Sequence, residues 1–256
     1  MELYVIDTNI AFDLIFDGRN RHRRAIEFYK HFKNLELTIT DVIKQESIQV
    51  ISKYSANFGE ELNYFLDRKD AHSKKWDQLD FSERCKLIDD FIRDIKNRKD
   101  KNPYVPFYSN MLFHFKQDLC HMGMVEINEF RITLPGRMEK NFINDTKIMF
   151  TTLSTETDID NYNEKERIVR NAIQQYFIEK QSKDLNILVN LIILLNFRKI
   201  EKKNIDSLIF FTCDTTFREN FNKIIKNKAK VIQTINNHFG LNLDSIKFKS
   251  MGEVED

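Results

Sequence analysis

Residues Leu3–Phe12 read LYVIDTNIAF, and the fold depends on how that stretch is read. Leu3-Tyr4-Val5-Ile6 is an apolar run of β-formers, too short for a free-standing helix, and so reads as a buried strand. It stops at Asp7. Thr8 and Asn9 can cap a short helix, whose apolar positions are Ile10, Phe12, Leu14 and Ile15. The strand therefore ends in a carboxylate facing a helix N-terminus, at the edge where open α/β sheets bind their ligands. Asp7 either caps that helix or serves catalysis or metal binding, and the local sequence allows both.

Farther along the chain the same arrangement recurs. Ser207–Thr212 (SLIFFT) reads as a buried strand that ends in Cys213-Asp214, with Thr216 and Glu219 as a capping box for a helix to about Asn227. Leu35–Thr40 (LELTIT) alternates apolar and polar, a strand pattern, and Thr40 or Asp41 caps the next helix. Val42, Ile43, Val50 and Ile51 mark that helix's inward side, and Glu46 shares it. A carboxylate there is costly unless compensated, and Lys44 and Lys53 lie on other faces. Asp184 is a fourth such acid. It falls in the apolar stripe Ile173, Phe177, Gln181, Asp184, Leu188, Leu191, Leu195, within a helical pattern over Glu164–Phe197 that breaks near Gln181-Ser182. The cost of burying an ion favours function over structure for Asp184.

The remaining elements are read from the same signals. Four arginines, Arg19, Arg21, Arg23 and Arg24, come after the stop at Asp17-Gly18 and suit a phosphate backbone, although a solvated loop and helix start explains them somewhat better. A helix runs from about Arg23 to Phe32. Between Ala56 and Lys165 the βα rhythm disappears. Asp80–Lys99 is a helix opening on a capping box of Asp80 and Glu83, with the basic residues Lys96, Arg98, Lys99 and Lys101 at its end. Asn102-Pro103 and Pro106 break the chain, Met111–Cys120 is helical, Gly123–Leu134 reads as extended, and Met138–Phe150 fits either state. Val231–Ile235 reads as a strand and Ser245–Phe248 as a weaker one, while the last six residues read as loose. The fold expected is α/β, three-layer α/β/α with a central, mainly parallel sheet of four to five strands, plus a mainly helical insertion. Residues 1–55 and 173–256 form the core and 56–172 the insertion. Strands near 3–6, 36–40, 208–212 and 231–235 are expected as parallel neighbours. Apolar faces such as Leu87–Phe91–Ile95 should seat the insertion beside the acidic edge, where it would narrow access and select substrate.

Composition narrows the function. Lys+Arg number 40 and Asp+Glu 39 in 256 residues, so nucleic-acid binding must come from local patches rather than an overall basic field. Cys85, Cys120 and Cys213 are odd in number and form no C-x-x-C pair. That argues for a reducing compartment and against a disulfide framework or a structural zinc site, and Cys120-His121 alone is a poor ligand set. The N-terminus lacks a signal-peptide pattern, and the apolar run Ile187–Phe197 is interrupted by Asn190 and Asn196 and too short to span a bilayer. A cytoplasmic protein with no membrane partner is expected.

Four carboxylates brought together would repel one another and raise each other's pKa unless a cation neutralises them. Oxygen-only ligation suits one or two Mg²⁺ or Mn²⁺ ions, able to activate water for attack on a phosphodiester. Asp7, Asp184 and Asp214 are then direct or water-mediated ligands, and Glu46 is a ligand or orients the attacking water. Thr8, Asn9 and Thr212 would hold those carboxylates or a phosphate.

The motifs YVIDTNI (Asp7, Thr8, Asn9), TITDVIKQE (Glu46), KDLNILVNLIIL (Asp184) and FFTCDTTF (Thr212, Asp214, Phe217) together resemble the PIN-domain nucleases. The resemblance covers Met1–Ser55 and Ile173–Phe248, about half the chain. It implies a parallel sheet between helices with acids gathered at one edge, and a metal-dependent nuclease. RNA is more to be expected than DNA as the nucleic-acid partner, because RNA targets predominate in that family, and an inhibitory protein partner fits some members. Small members have far fewer residues between the second and third acids. Three alternatives remain: a DNA-directed nuclease with the same site, a catalytically weak RNA-binding or assembly module, and a haloacid-dehalogenase-like phosphatase. The last uses a D-x-D pattern, but Asn9 stands at its second position without an acid-base partner. The sequence leaves oligomeric state open.

Overall fold

The computed structural model describes residues 1–16, 21–32, 36–67, 75–97, 105–154, 159–200, 203–236 and 242–253. Asp17-Gly18, the candidate contact Arg19, the basic residues Arg98, Lys99 and Lys101, the break at Asn102-Pro103 and the last three residues lie outside them. In chain order, β1 (Glu2–Ile6), α1 (Thr8–Ile15), α2 (His22–His31), β2 (Leu37–Thr40) and α3 (Asp41–Asp67) come first. Three helices come next: α4 (Phe81–Asn97), α5 (Val105–His121) and α6 (Met124–Met149). Then come β3 (Thr151–Leu153), α7 (Tyr162–Ile173) and α8 (Ser182–Phe197). A ribbon of β4 (Lys199–Ile200) and β5 (Lys203–Asn204) precedes β6 (Ser207–Phe211), α9 (Thr215–Lys226), α10 (Lys228–Asn236) and β7 (Ile246–Lys249). The chain divides into a sheet unit (1–11, 24–47 and 146–256) and a helical unit (12–23 and 48–145).

The sheet unit is α/β. Its five strands lie in the order β3-β2-β1-β6-β7, and every neighbouring pair is parallel. β1 takes the centre because its side chains can be buried on both faces: Leu3, Val5 and Ile6 are all in the core. β6 (SLIFF) is equally apolar and runs beside it with Ile6 opposite Phe211, while Val5 faces Thr38 of β2 on the other side. Three of the four expected parallel strands are therefore present. The fourth is not: Val231–Ile235 lies in α10, and β7 pairs with β6 instead. Val231 and Ile235 are both buried and one helical turn apart, so their β-branched character supports a helix face rather than a strand. β3, with only three residues, was not anticipated.

The helical pattern over Glu164–Phe197 is also interrupted more than expected. α7 ends at Ile173, and 3₁₀ turns at Gln174–Tyr176 and Glu179–Gln181 precede α8. The supposed single stripe is thus two helices and a tight connection. Asp184 sits in the first turn of α8, just past the break expected near Gln181-Ser182.

Within the helical unit, α6 corrects the extended reading of Gly123–Leu134 and decides Met138–Phe150 as helix. Ile127, Phe130, Leu134, Met138 and Phe142 are all buried at spacings of three and four. That continuous apolar face carries the helix through Pro135, whose missing N–H costs one internal hydrogen bond. Pro106 falls in the first turn of α5, where proline is tolerated. Phe58 centres the unit's core, with its ring 6.2 Å from Phe91 and 5.8 Å from Tyr108. The capping box of α4 forms in both directions: Glu83 N donates to Asp80 Oδ1 at 2.8 Å, and Asp80 N donates to Glu83 Oε2 at 2.9 Å. Asp80→Ala is expected to cost about 1 kcal/mol and Asp80→Asn far less, measured by the urea midpoint of the whole chain. Equal losses would mean that the cap does not act through its acceptor. Among the described residues no helix is long and apolar enough to cross a membrane.

Candidate active site

The sheet order reverses at β1. From it the chain builds outward to β2 and β3, then returns to its other side for β6 and β7. The carboxyl ends of β1 and β6 flank that switch point, the place where open parallel sheets leave a crevice for ligands. Asp7 comes directly after β1, and Asp214 stands three residues past the end of β6.

Backbone pairing sets their relation. Asp7 N donates to Phe211 O at 2.9 Å, carrying the β1–β6 ladder one residue beyond the strand. The next residue on the other side, Thr212, is fully buried and joins the two acids. Its hydroxyl donates to Asp7 Oδ2 at 2.7 Å and accepts from Asp214 N at 3.0 Å. Asp214 also caps α9, its Oδ1 accepting from Phe217 N at 2.9 Å. The expected box of Thr216 and Glu219 is therefore displaced, because the helix starts at Thr215 and both residues lie inside it. Thr8 likewise begins α1 rather than capping it, and the Asp7 carbonyl accepts the first-turn amides of Ile10 and Ala11. The Thr8 hydroxyl donates instead to Glu46 Oε2 at 2.9 Å. Asn9 is half-buried in the same turn.

Glu46 reaches this edge from the second turn of α3, and Asp184 from the first turn of α8. Asp7 is only 7% exposed, and burial pushes its pKa up to about 7, against hydrogen bonds from Thr212 and the Thr8 amide. The negative charges of Glu46 and Asp214 push it the same way. Burial raises Asp184 to about 6, with Asp214 and Glu46 adding to it. A helix N-terminus ordinarily favours a carboxylate. Here burial and two like charges outweigh it. Glu46 and Asp214 thus lie within electrostatic reach of both Asp7 and Asp184 in the sheet unit. Among the described residues, however, no three His, Cys, Asp or Glu side chains converge into a ready-made metal cage.

The raised pKa of Asp7 has a defined sign in stability. The folded chain holds the Asp7 proton up to about pH 7, whereas an unfolded Asp releases it near its ordinary value of 3.8. The stabilisation is complete below that lower value and is lost as pH rises through about 7. In chelator, Asp7→Asn should therefore melt higher than wild type at pH 8 and close to it at pH 4, since each pKa unit corresponds to about 1.4 kcal/mol. Thermal melts at both pH values check this, and a constant difference would dissociate Asp7 from the effect.

The arginines divide between the units. Arg21 Nε pairs with buried Asp13 Oδ2 at 2.8 Å in the helical unit, where Arg23 is exposed. Arg24 belongs to the sheet unit and packs against Gly252, where a Cβ would clash with its Nη2. One polar group was missed. At the carboxyl ends of β2 and β3, Asp41 Oδ2 accepts from the Ser154 hydroxyl at 3.2 Å, and Arg198 Nη1 donates to Ser154 O at 2.7 Å. Its only sequence signal is a cation immediately after the apolar run of α8. Comparison with family models, curated proteins and solved structures finds no match for this chain.

Proposed function

We propose that the four carboxylates at the switch point hold one or two divalent cations, Mg²⁺ or Mn²⁺, and that the chain is a PIN-like nuclease acting on RNA. The observation that carries this reading is the placement of Asp7 and Asp214 at the carboxyl ends of adjacent parallel strands, bridged by Thr212 and facing two further acids. The donor set suits such ions, being hard oxygen ligands alone. Its charge suits them too: burial and mutual repulsion disfavour the ionised forms of Asp7 and Asp184, a deficit that a cation would remove. When bound, the cation supplies an activated water and neutralises charge on the phosphodiester.

The chain's own groups prepare that chemistry. Thr212 fixes the rotamer of Asp7 by donating to Oδ2, and Asp214 is fixed by its cap on α9. Thr8 holds one Glu46 oxygen, so Glu46 can ligate or can orient the attacking water with the other. The preference for RNA rests on resemblance to the PIN family alone. Incubating the chain with defined RNA and DNA strands in Mn²⁺, Mg²⁺ or chelator, then mapping the cut ends, tests the whole reading. Cation-dependent cutting of RNA is expected, and cutting of DNA alone would transfer the site to the DNA-directed alternative.

The runner-up reading is a catalytically weak RNA-binding or assembly module built on the same fold. Calorimetric titration separates the two, because an inert module binds Mn²⁺ negligibly.

A further inference from the structure

Helices α4 and α5 of the helical unit pair antiparallel, and the contacts between them step in register. Phe81 stacks on His121 with ring centroids 4.4 Å apart. One turn further along α4, Cys85 neighbours Cys120 across the seam. A further turn on, Lys116 Nζ donates to Asp89 Oδ1 at 2.6 Å. Cys120 is fully buried, whereas Cys85 is half-exposed at the seam. A reducing compartment leaves two such thiols free, and cysteine pairs that do oxidise there are transient or redox-sensing.

We propose that Cys85 and Cys120 are a thiol modification site, at which a hydroperoxide forms a reversible disulfide joining α4 to α5. Cys85 is the attacking sulfur, because it is the accessible one of the two. The Cys120 thiol, held well above its usual pKa by burial and by the neighbouring Cys85, stays protonated while Cys85 reacts. Attack of the Cys85 thiolate on the peroxide O–O bond gives Cys85 sulfenic acid and releases hydroxide from hydrogen peroxide. Cys120 sulfur then displaces the sulfenic hydroxyl, which leaves with the Cys120 proton as water, and the S–S bond forms. Two thiols are oxidised and one peroxide is reduced to two waters, counting the thiol proton taken up by the hydroxide. A dithiol reductant reverses the step by exchange. The flanking contacts, Phe81 with His121 and Lys116 with Asp89, bring the two helices together on either side of the pair.

The test treats the reduced full chain with hydrogen peroxide, alkylates the remaining thiols and maps peptides without reduction. The expected product is one cross-linked peptide pair carrying Cys85 and Cys120, formed as fast as Cys85 is consumed, because the second step is intramolecular. It should vanish on treatment with dithiothreitol, and the oxidised chain should melt higher than the reduced one. In Cys120→Ser the Cys85 sulfenic acid should persist and be captured by dimedone. The proposal is overturned if Cys85 and Cys120 are alkylated as fully as Cys213, if Cys85 reaches the sulfinic acid without a cross-link, or if Cys85 bridges two chains.

Discussion

Asp214→Asn and Asp7→Asn should each lower metal-dependent cleavage of RNA at least about a hundredfold, an effect of about 3 kcal/mol on the barrier. The change keeps the shape of the side chain and removes one anionic ligand. It should leave the fold in place for reasons specific to each position. Asn still accepts from Phe217 N, because asparagine is as good a helix cap as aspartate. At position 7 an amide oxygen can still accept from Thr212. Affinity for RNA should hold or rise, since one fewer carboxylate repels the phosphate backbone. Asp184→Asn should behave in the same way. Cleavage and binding measured on the same purified proteins check this. Wild-type rates in both Asp7→Asn and Asp214→Asn would remove the acidic cluster from the chemistry altogether.

The second large effect is on stability. Phe211→Ala should cost about 3–5 kcal/mol, because truncating a fully enclosed ring loses its transfer energy and leaves a cavity. Phe211 is inaccessible to solvent, with Phe28 and Phe32 edge-on at 4.8 and 5.0 Å and Tyr4 stacked at 6.4 Å. It also supplies the carbonyl that pairs with Asp7 N and the residue next to Thr212, so the cavity opens beneath the site. Phe248→Ala, on a half-exposed ring of the last strand, should cost less. Urea midpoints of both variants decide the comparison. A loss below about 1 kcal/mol for Phe211→Ala would mean that the site has no such support.

The sequence showed the centre of the sheet more clearly than its margins. β1 and β6 are short apolar runs each closed by an acid, and no helical pattern competes with that reading. β3 could not be seen, since TTL has little hydrophobic contrast and is specified by pairing with β2. The errors at α6 and α10 share a cause. Pro135-Gly136 and the β-branched Val231-Ile232 are strong local signals, and the apolar face at intervals of three and four overrode both. The candidate acids could be named because each breaks an apolar pattern. Thr8 and Thr212 could be named as their supports, but which acid each one holds could not: strand register links Thr212 to both Asp7 and Asp214, and the fold turns Thr8 to Glu46. The break expected near Gln181-Ser182 is where α8 begins, just before Asp184, whereas the 3₁₀ turn at Gln174–Tyr176 was hidden by a stripe whose spacing continues across it.

The hydrogen bond between Thr212 and Asp7 joins groups 205 residues apart in the chain. At a translation rate of about 5–20 residues per second, the second half of the acidic edge leaves the ribosome roughly 10–40 s after the first. Through that interval β1 has β2 available as a partner and an open edge where β6 will dock. Pairing at such separation is slow to nucleate, because a long loop must close before any contact rewards it. A ribosome-bound nascent chain therefore carries Asp7 and Glu46 without Asp214. If the acids cleave RNA, the chain emerges harmless to the ribosome and message that produce it, and becomes active only after its last strands have been made.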